Sequence, residues 1–262
     1  MRGYREREPF ILGAAVIVLL IALWEAVPSL VTLSRGMALF FTTPSKVAAT
    51  FWRMLVNGEL NRHLYVSGLE FVVGLGLAIL VGLPLGLLMG RSKTLDALLD
   101  PYVNALNATP RLVFLPLLIL WFGLGIWSKI MIVFAGAVFP LLINTYVGVR
   151  NVNRVLIDVV RSFCASERQI MRIVVVPNSV PYIVAGLRLA IGRAMLGVVV
   201  GEFFGAPEGL GHVIAEAASN YVVDKVFVGV LIFMGMSLVL TMSVKKIESN
   251  LTRWRPEETK TF

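Results

Sequence analysis

The sequence predicts an all-α membrane protein of about six transmembrane helices, with a hairpin of short helices projecting on the cytosolic side. Three observations carry this: an apolar composition, six long apolar segments, and a one-sided distribution of basic residues. Of the 262 residues, 57% are hydrophobic and only 15% charged, and the mean hydropathy is +0.82. Soluble domains carry about 45–50% apolar and about 25% charged residues. One soluble core of this length has no room for that excess of apolar surface, whereas lipid accepts it.

A bilayer core about 30 Å thick is crossed by about 20 mostly apolar helical residues. Segments 10–27, 64–89, 100–122, 128–149, 179–201 and 226–244 meet that requirement. The first resembles a signal peptide, since Arg2, Arg5 and Arg7 precede its apolar run. No small-x-small cleavage site follows, and the run ends in Trp24-Glu25 and Pro28, so it is expected to stay as a first span. The third segment is interrupted by Asn104, Asn107, Pro110, Arg111 and Pro116. Broken helices persist in membranes where protein or a water-filled path satisfies the freed backbone groups. That stretch is therefore either a wall of a translocation path or a kinked packing helix.

The net charge of +8 would suggest nucleic acid in a soluble protein; here it reads as the positive-inside bias, with no nucleic-acid partner. With the N-terminus in the cytosol, fifteen of the 24 lysines and arginines fall inside and six outside, and Arg111, Arg188 and Arg193 lie within spans. Both termini are thus expected in the cytoplasm. The expected organisation is an N-terminal tail (1–9), a single transmembrane domain (10–249) and a C-terminal tail (250–262).

Two loops are too long to be turns. In the outer one, Thr43-Pro44 starts a helix well, with threonine at the N-cap and proline at the first helical position. Val47, Phe51, Met54 and Leu55 follow as its apolar stripe. The inner loop, 150–178, reads as two short helices. The first, over 155–164, is amphipathic; the second opens with Ser166-Glu167-Arg168-Gln169, a capping-box pattern. An arginine-rich hairpin of this kind suits docking on another protein or resting on anionic headgroups.

The hairpin resembles the signature of the permeases of ATP-binding-cassette importers: E-A-A, three residues, G, nine residues, I-x-L-P. Asp158-Val159-Val160 stands at E-A-A, Cys164 at the glycine and Val174-Val175-Val176-Pro177 at I-x-L-P, with every spacing kept. Cysteine for glycine is the departure. A turn needing positive φ would charge Cys164 a steric cost that glycine avoids. Further patches follow in order: Thr43-Pro44-Ser45 with Phe51-Trp52, Leu120 to Gly125 with Ser128-Lys129-Ile130, Phe139-Pro140 through Asn144-Thr145 to Gly148, Gly186-Leu187-Arg188, and Gly209-Leu210-Gly211 after Glu202. Together they are similar to the nitrate/sulfonate/taurine type of permease.

The resemblance implies the type I importer permease fold in a bacterial inner membrane. It implies two permease copies, here most simply a homodimer, two cytosolic ATP-binding subunits and an extracytoplasmic solute-binding protein. ATP and Mg would be bound by the partner ATPase. Asp158, Val159, Val160, Cys164, Ala165, Ser166 and Pro177 would belong to the ATPase-coupling loop. The candidate path residues are Asn104, Asn107, Glu70, Arg188 and Glu202. An ionisable group at mid-bilayer usually faces an interior or an aqueous path. Arg188 either lines the path or belongs to a structural ion pair, with Glu70 a possible partner for it or for Arg193. Glu202 either faces solute or caps its helix in water.

The chain carries no phosphate-binding G-x-x-x-x-G-K-[ST], no H-E-x-x-H and no G-x-S-x-G. No catalytic, cofactor-binding or metal-binding residue is therefore expected. His63 and His212 are far apart in sequence and give no metal site, and the lone Cys164 excludes an internal disulfide. A transporter driven by an ion gradient is the alternative; such proteins usually show internal repeats, and none is evident here. The glycine runs 82–86–90 and 197–201–205 have small-xxx-small spacing, which predicts close helix packing.

Overall fold

Long apolar segments become long helices because backbone polar groups in lipid have only each other for partners. The computed structural model describes residues 8–30 and 40–251; the expected terminal tails fall almost wholly outside them. Spanning helices are α1 (Glu8–Leu30), α3 (Glu59–Arg91), α6 (Ile126–Arg150), α9 (Val176–Phe203) and α11 (Val223–Leu251). The third expected span is broken. Helix α4 (Lys93–Ala108) meets a 3₁₀ turn (Arg111–Phe114) and α5 (Leu115–Phe122), with a 93° bend between the two halves. Proline at 110 lacks a backbone N–H and disfavours helix at Thr109, so the break falls there. Among the described residues five helices are long and apolar enough to cross a membrane, six spans if the bent pair counts as one. Among the described residues there is no strand.

The core is built around α6, which packs along both α3 and α9. Glycines set the approach distance, as the sequence predicts. A Cβ on Gly82 would lie 3.0 Å from the Val138 carbonyl oxygen, and one on Gly86 would lie 2.6 Å from that of Leu142. On the other side, a Cβ on Gly197 would lie 2.9 Å from the Val133 Cα, and one on Gly201 2.9 Å from an Ile132 methyl. Where lipid is as apolar as leucine, such backbone proximity supplies dispersion that burial cannot.

One local expectation changes. Helix α2 (Pro44–Val56) starts at Thr43 with proline in its first turn, but the Thr43 side chain makes no cap bond. Glu25 of α1 reaches across instead, accepting from Ser45 N–H at 3.0 Å and Ser45 Oγ at 2.7 Å. The buried face of α2 is Val47, Thr50 and Met54, and Phe51 and Leu55 are exposed, because Thr50 turns inward to Asp224 at 2.5 Å. Beyond the hairpin, Pro177 and Pro181 lie within one continuous helical run into the fifth span. Helix α8 (Glu167–Ile170) passes through a π turn (Met171–Val175) straight into α9. The wider turn places Pro177, which has no N–H to donate, in the first turn of α9.

Candidate functional site

The hairpin between α6 and α9 is where exposed apolar surface and charge meet. Helix α7 (Arg154–Ser162) is capped by Asn153, whose Oδ1 accepts from Val155 N–H at 2.9 Å. Its inward residues Ile157 and Val160, with Ala165, pack on a small core of Val149, Val152, Ile170, Val174 and Val175. Its outward residues Val155, Leu156 and Val159, with Phe163 beyond its end, stay exposed, Phe163 to 82%. Asp158 is exposed and pairs with Arg161 at 3.5 Å.

The turn that follows holds Cys164 at φ +57, the left-handed region that costs an L-residue roughly 1–2 kcal/mol. The position at which the family pattern carries glycine is therefore a left-handed one, and the thiol is exposed. The capping box at Ser166 is complete: Ser166 Oγ accepts from Gln169 N–H, and Gln169 Oε1 accepts from Ser166 N–H at 2.7 Å. Glu167 then binds Arg91 at the end of α3 and Arg161 at 3.2 Å. The hairpin is thus tied to α3 by charge and by Leu87, to α6 by apolar packing, and runs on into α9 through the π turn.

At the opposite end of the molecule, a buried polar cluster joins α3, α6, α9 and α10 (Leu210–Ser219). Glu70 and Glu202 are each 1% exposed and face one another, with Lys129 close by. Glu202 accepts from Ser67 Oγ at 2.6 Å and from Gly211 N–H at 2.5 Å, while Ser67 Oγ accepts from Leu210 N–H at 2.8 Å. Lys129 donates to the Leu124 carbonyl. Glu202 therefore neither faces an open path nor caps a helix in water: it holds the start of α10. Glu70 is not the partner of Arg188 or Arg193; its neighbours are Glu202 and Lys129, because α3 presents it at the end where α9 meets α10.

Gly209 has φ +122, and a Cβ there would fall on the Glu202 carboxyl, so the Gly209-Leu210-Gly211 pattern after Glu202 has a steric cause. His63 and His212 meet, with ring centres 6.4 Å apart, and His63 Nδ1 accepts from Gly209 N–H at 3.0 Å. Among the described residues no three His, Cys, Asp or Glu side chains group to hold a metal. Ser67, Lys129 and His63 were not legible as members of this cluster, since only tertiary packing joins them.

Arg188 forms the ion pair that was one of its two readings: it binds Glu248 of α11. Asn104 and Asn107 are exposed on α4, and Asn107 Oδ1 accepts from Arg111 Nη2 at 3.1 Å. Beside them, a cavity of about 270 Å³ opens between the broken span, α6 and α9, and both Arg111 and Arg193 line it.

Such an assembly of spanning helices, with a charged hairpin at one end and a cavity beside a broken span, defines a membrane transport subunit. The chain belongs to the family described as binding-protein-dependent transport system inner membrane component, whose profile matches residues 82–253. It is 35% identical to the SsuC permease protein assigned to aliphatic sulfonate transport in Bacillus subtilis, over 96% of this chain and 90% of that one. It is 34% identical to the riboflavin transport permease RibX of Chloroflexus aurantiacus, over 97% and 94%. It is 29% identical to the taurine transport permease TauC of Escherichia coli, over 94% and 90%. A solved structure of the inward-facing MetNI methionine ABC transporter has the same fold, with TM-score 0.66 at 18% identity, covering 73% of this chain and 95% of that one. The protein is a multi-pass ABC-transporter permease of the inner membrane, a subunit without enzymatic activity of its own. The gradient-driven alternative finds no support.

Proposed function

We propose that the chain is the path-forming subunit of an ATP-driven importer for a small sulfonate-type anion. Two copies would pair with two ATP-binding subunits that hold ATP and Mg, and an extracytoplasmic binding protein would deliver the solute. The SsuC and TauC relatives support the anion class, and the cavity flanked by two arginines agrees with it.

One observation carries the coupling assignment: α7 turns an unpartnered apolar face outward, while its base is fixed to three spanning helices. Asp158, Val159, Val160, Cys164, Ala165, Ser166 and Pro177 would form this loop, with Val159 and Asp158 at the contact and Ala165 and Pro177 at the foundation. Closure of the ATPase pair would push the hairpin, and its apolar seat against α6 and its continuous run into α9 would pass the displacement on, while the exposed Arg91–Glu167 pair yields. This is a rigid-body switch biased by nucleotide. Residues 10–249 would form one permease domain, with both tails in the cytoplasm. Asn104 and Asn107 would line the path, and Arg188 would brace α9 against α11.

The lone cysteine makes a direct test. A membrane-impermeant maleimide should label Cys164 in inside-out vesicles and not in intact spheroplasts, and the bound ATPase should protect it. Labelling from the outer face would overturn both the orientation and the coupling role.

A further inference from the structure

The cavity between the broken span, α6 and α9 is lined by two cations that no carboxylate among the described residues answers. Arg111 stands at the 93° bend, where the helix has already lost its regular hydrogen bonds. Its Nη2 is used by Asn107, but its Nε is buried without a partner. Arg193 of α9 lines the same cavity, so two guanidinium groups of like charge border one space. Neither has a carboxylate partner among the described residues.

Depth makes this costly. Gly136, on the cavity wall, lies ten residues from the start of α6 at Ile126, and Arg193 lies ten residues from the end of α9 at Phe203. At 1.5 Å per residue both sit about 15 Å in, half of a core about 30 Å thick. Charges there pair or face an aqueous path. Like charges held together at mid-depth, with an orphan N–H donor beside them, make a site whose missing element is an anion.

We propose that this cavity is an oxyanion-binding station of the translocation path, with Arg111 and Arg193 as its recognition residues. The inference rests on the importer reading above and names where that path would hold its solute. Guanidinium forks match the oxygens of a sulfonate head two at a time. Leu112, Leu196 and Val200 line the rest of the cavity, a wall for a short carbon tail. Gly136 and Gly197, also in the lining, bring the α6 and α9 backbones together beside it, and the volume of about 270 Å³ suits a small solute. Alternating access needs such a site to be weak enough to release, which a half-exposed pair without a buried counter-ion provides.

The test uses the complete transporter, with its ATPase and binding protein, in proteoliposomes, and radiolabelled ethanesulfonate as probe. Arg111→Gln and Arg193→Gln should each lower uptake roughly tenfold or more, the scale of one lost charge-assisted hydrogen bond. Arg→Lys variants, which keep the charge and lose the fork, should fall between. Ethanesulfonate bound directly to the solubilised permease–ATPase complex, without the binding protein, should be lost in the glutamine variants. Should those variants fail to assemble, the lysine variants decide by the same two readouts. Wild-type uptake and binding in all four would overturn the site and leave the importer reading standing. A wild-type transporter that takes up neither ethanesulfonate nor any other small oxyanion would overturn the sulfonate reading, and the site with it.

Discussion

Three glycine-to-alanine changes test whether the α9–α10 junction is held together as described, because the same added methyl group meets three different surroundings. At Gly76, inside α3, nothing lies within 4 Å of a new Cβ, and alanine gains up to about 1 kcal/mol over glycine in a helix. At Gly211 the new Cβ would lie 2.9 Å from the Glu202 Cβ and from Glu202 Oε2, and overpacking of this kind costs about 1–3 kcal/mol. At Gly209 the methyl would meet the Glu202 carboxyl, and φ is +122, so backbone strain of about 1–3 kcal/mol is added to the clash. The expected order of stability is Gly76→Ala above wild type, then Gly211→Ala, then Gly209→Ala, the last lower than wild type by roughly 2–6 kcal/mol. Thermal midpoints of the solubilised protein, read by loss of the monodisperse species, give the order. A Gly209→Ala protein as stable as wild type would refute the idea that Glu202 occupies the space beside residue 209.

Further outcomes follow from the hairpin and the rim. Cys164→Gly should leave assembly intact and stabilise the turn by at most about 1 kcal/mol, the left-handed penalty less glycine's own entropy cost, while Cys164→Val should lower expression of the assembled complex. Asp158→Arg and Ala165→Trp should uncouple ATP hydrolysis from uptake, and normal uptake with normal assembly in both would sink the coupling assignment. The Arg62 guanidinium hydrogen-bonded to Glu208 holds that carboxyl below its ordinary range. A depressed carboxylate contributes stability above its unfolded pKa and loses it as pH falls through the folded one. Glu208→Gln should therefore be less stable than wild type at neutral pH, with the gap closing below about pH 4.

Spans and hairpin were legible because their signals are local. Hydropathy over 20 residues marks a crossing, Ser166 to Gln169 marks a cap, and glycines four apart mark a packed face. Even the left-handed turn at Cys164 was visible, through the glycine that the family pattern carries there. What escaped depends on which helix faces which. Glu25 and Ser45 are 20 residues apart in the chain, and Ser67 and Glu202 are 135 apart. Pairing within the membrane was read from charge alone, which sent Glu70 toward an arginine. Two buried acids beside a lysine, with Glu202 and Lys129 held by hydroxyl and backbone groups, form an arrangement that charge counting does not anticipate. The π turn escaped for the opposite reason: it is a local answer to Pro177 that sequence periodicity at 3.6 residues cannot express.

The two ends of the molecule are built to behave differently in a rigid-body switch. At the rim, Glu202, Ser67, His63 and the N–H groups of residues 209–211 knit α3, α9 and α10 through buried hydrogen bonds. Opening that knot would leave polar groups unpaired in an apolar surround, at about 1–3 kcal/mol each. At the hairpin end the polar tie to α3 is an exposed ion pair, Arg91 with Glu167, and exposed pairs contribute only about 0–1 kcal/mol. The α3–α9–α10 corner therefore moves as one piece, and the hairpin joint is where rearrangement costs least. A disulfide locking residue 91 to residue 167 should then block transport while leaving solute delivery at the rim intact, whereas one locking residue 67 to residue 210 should change little. Equal loss of transport from both locks would contradict this division between a rigid rim and a yielding joint.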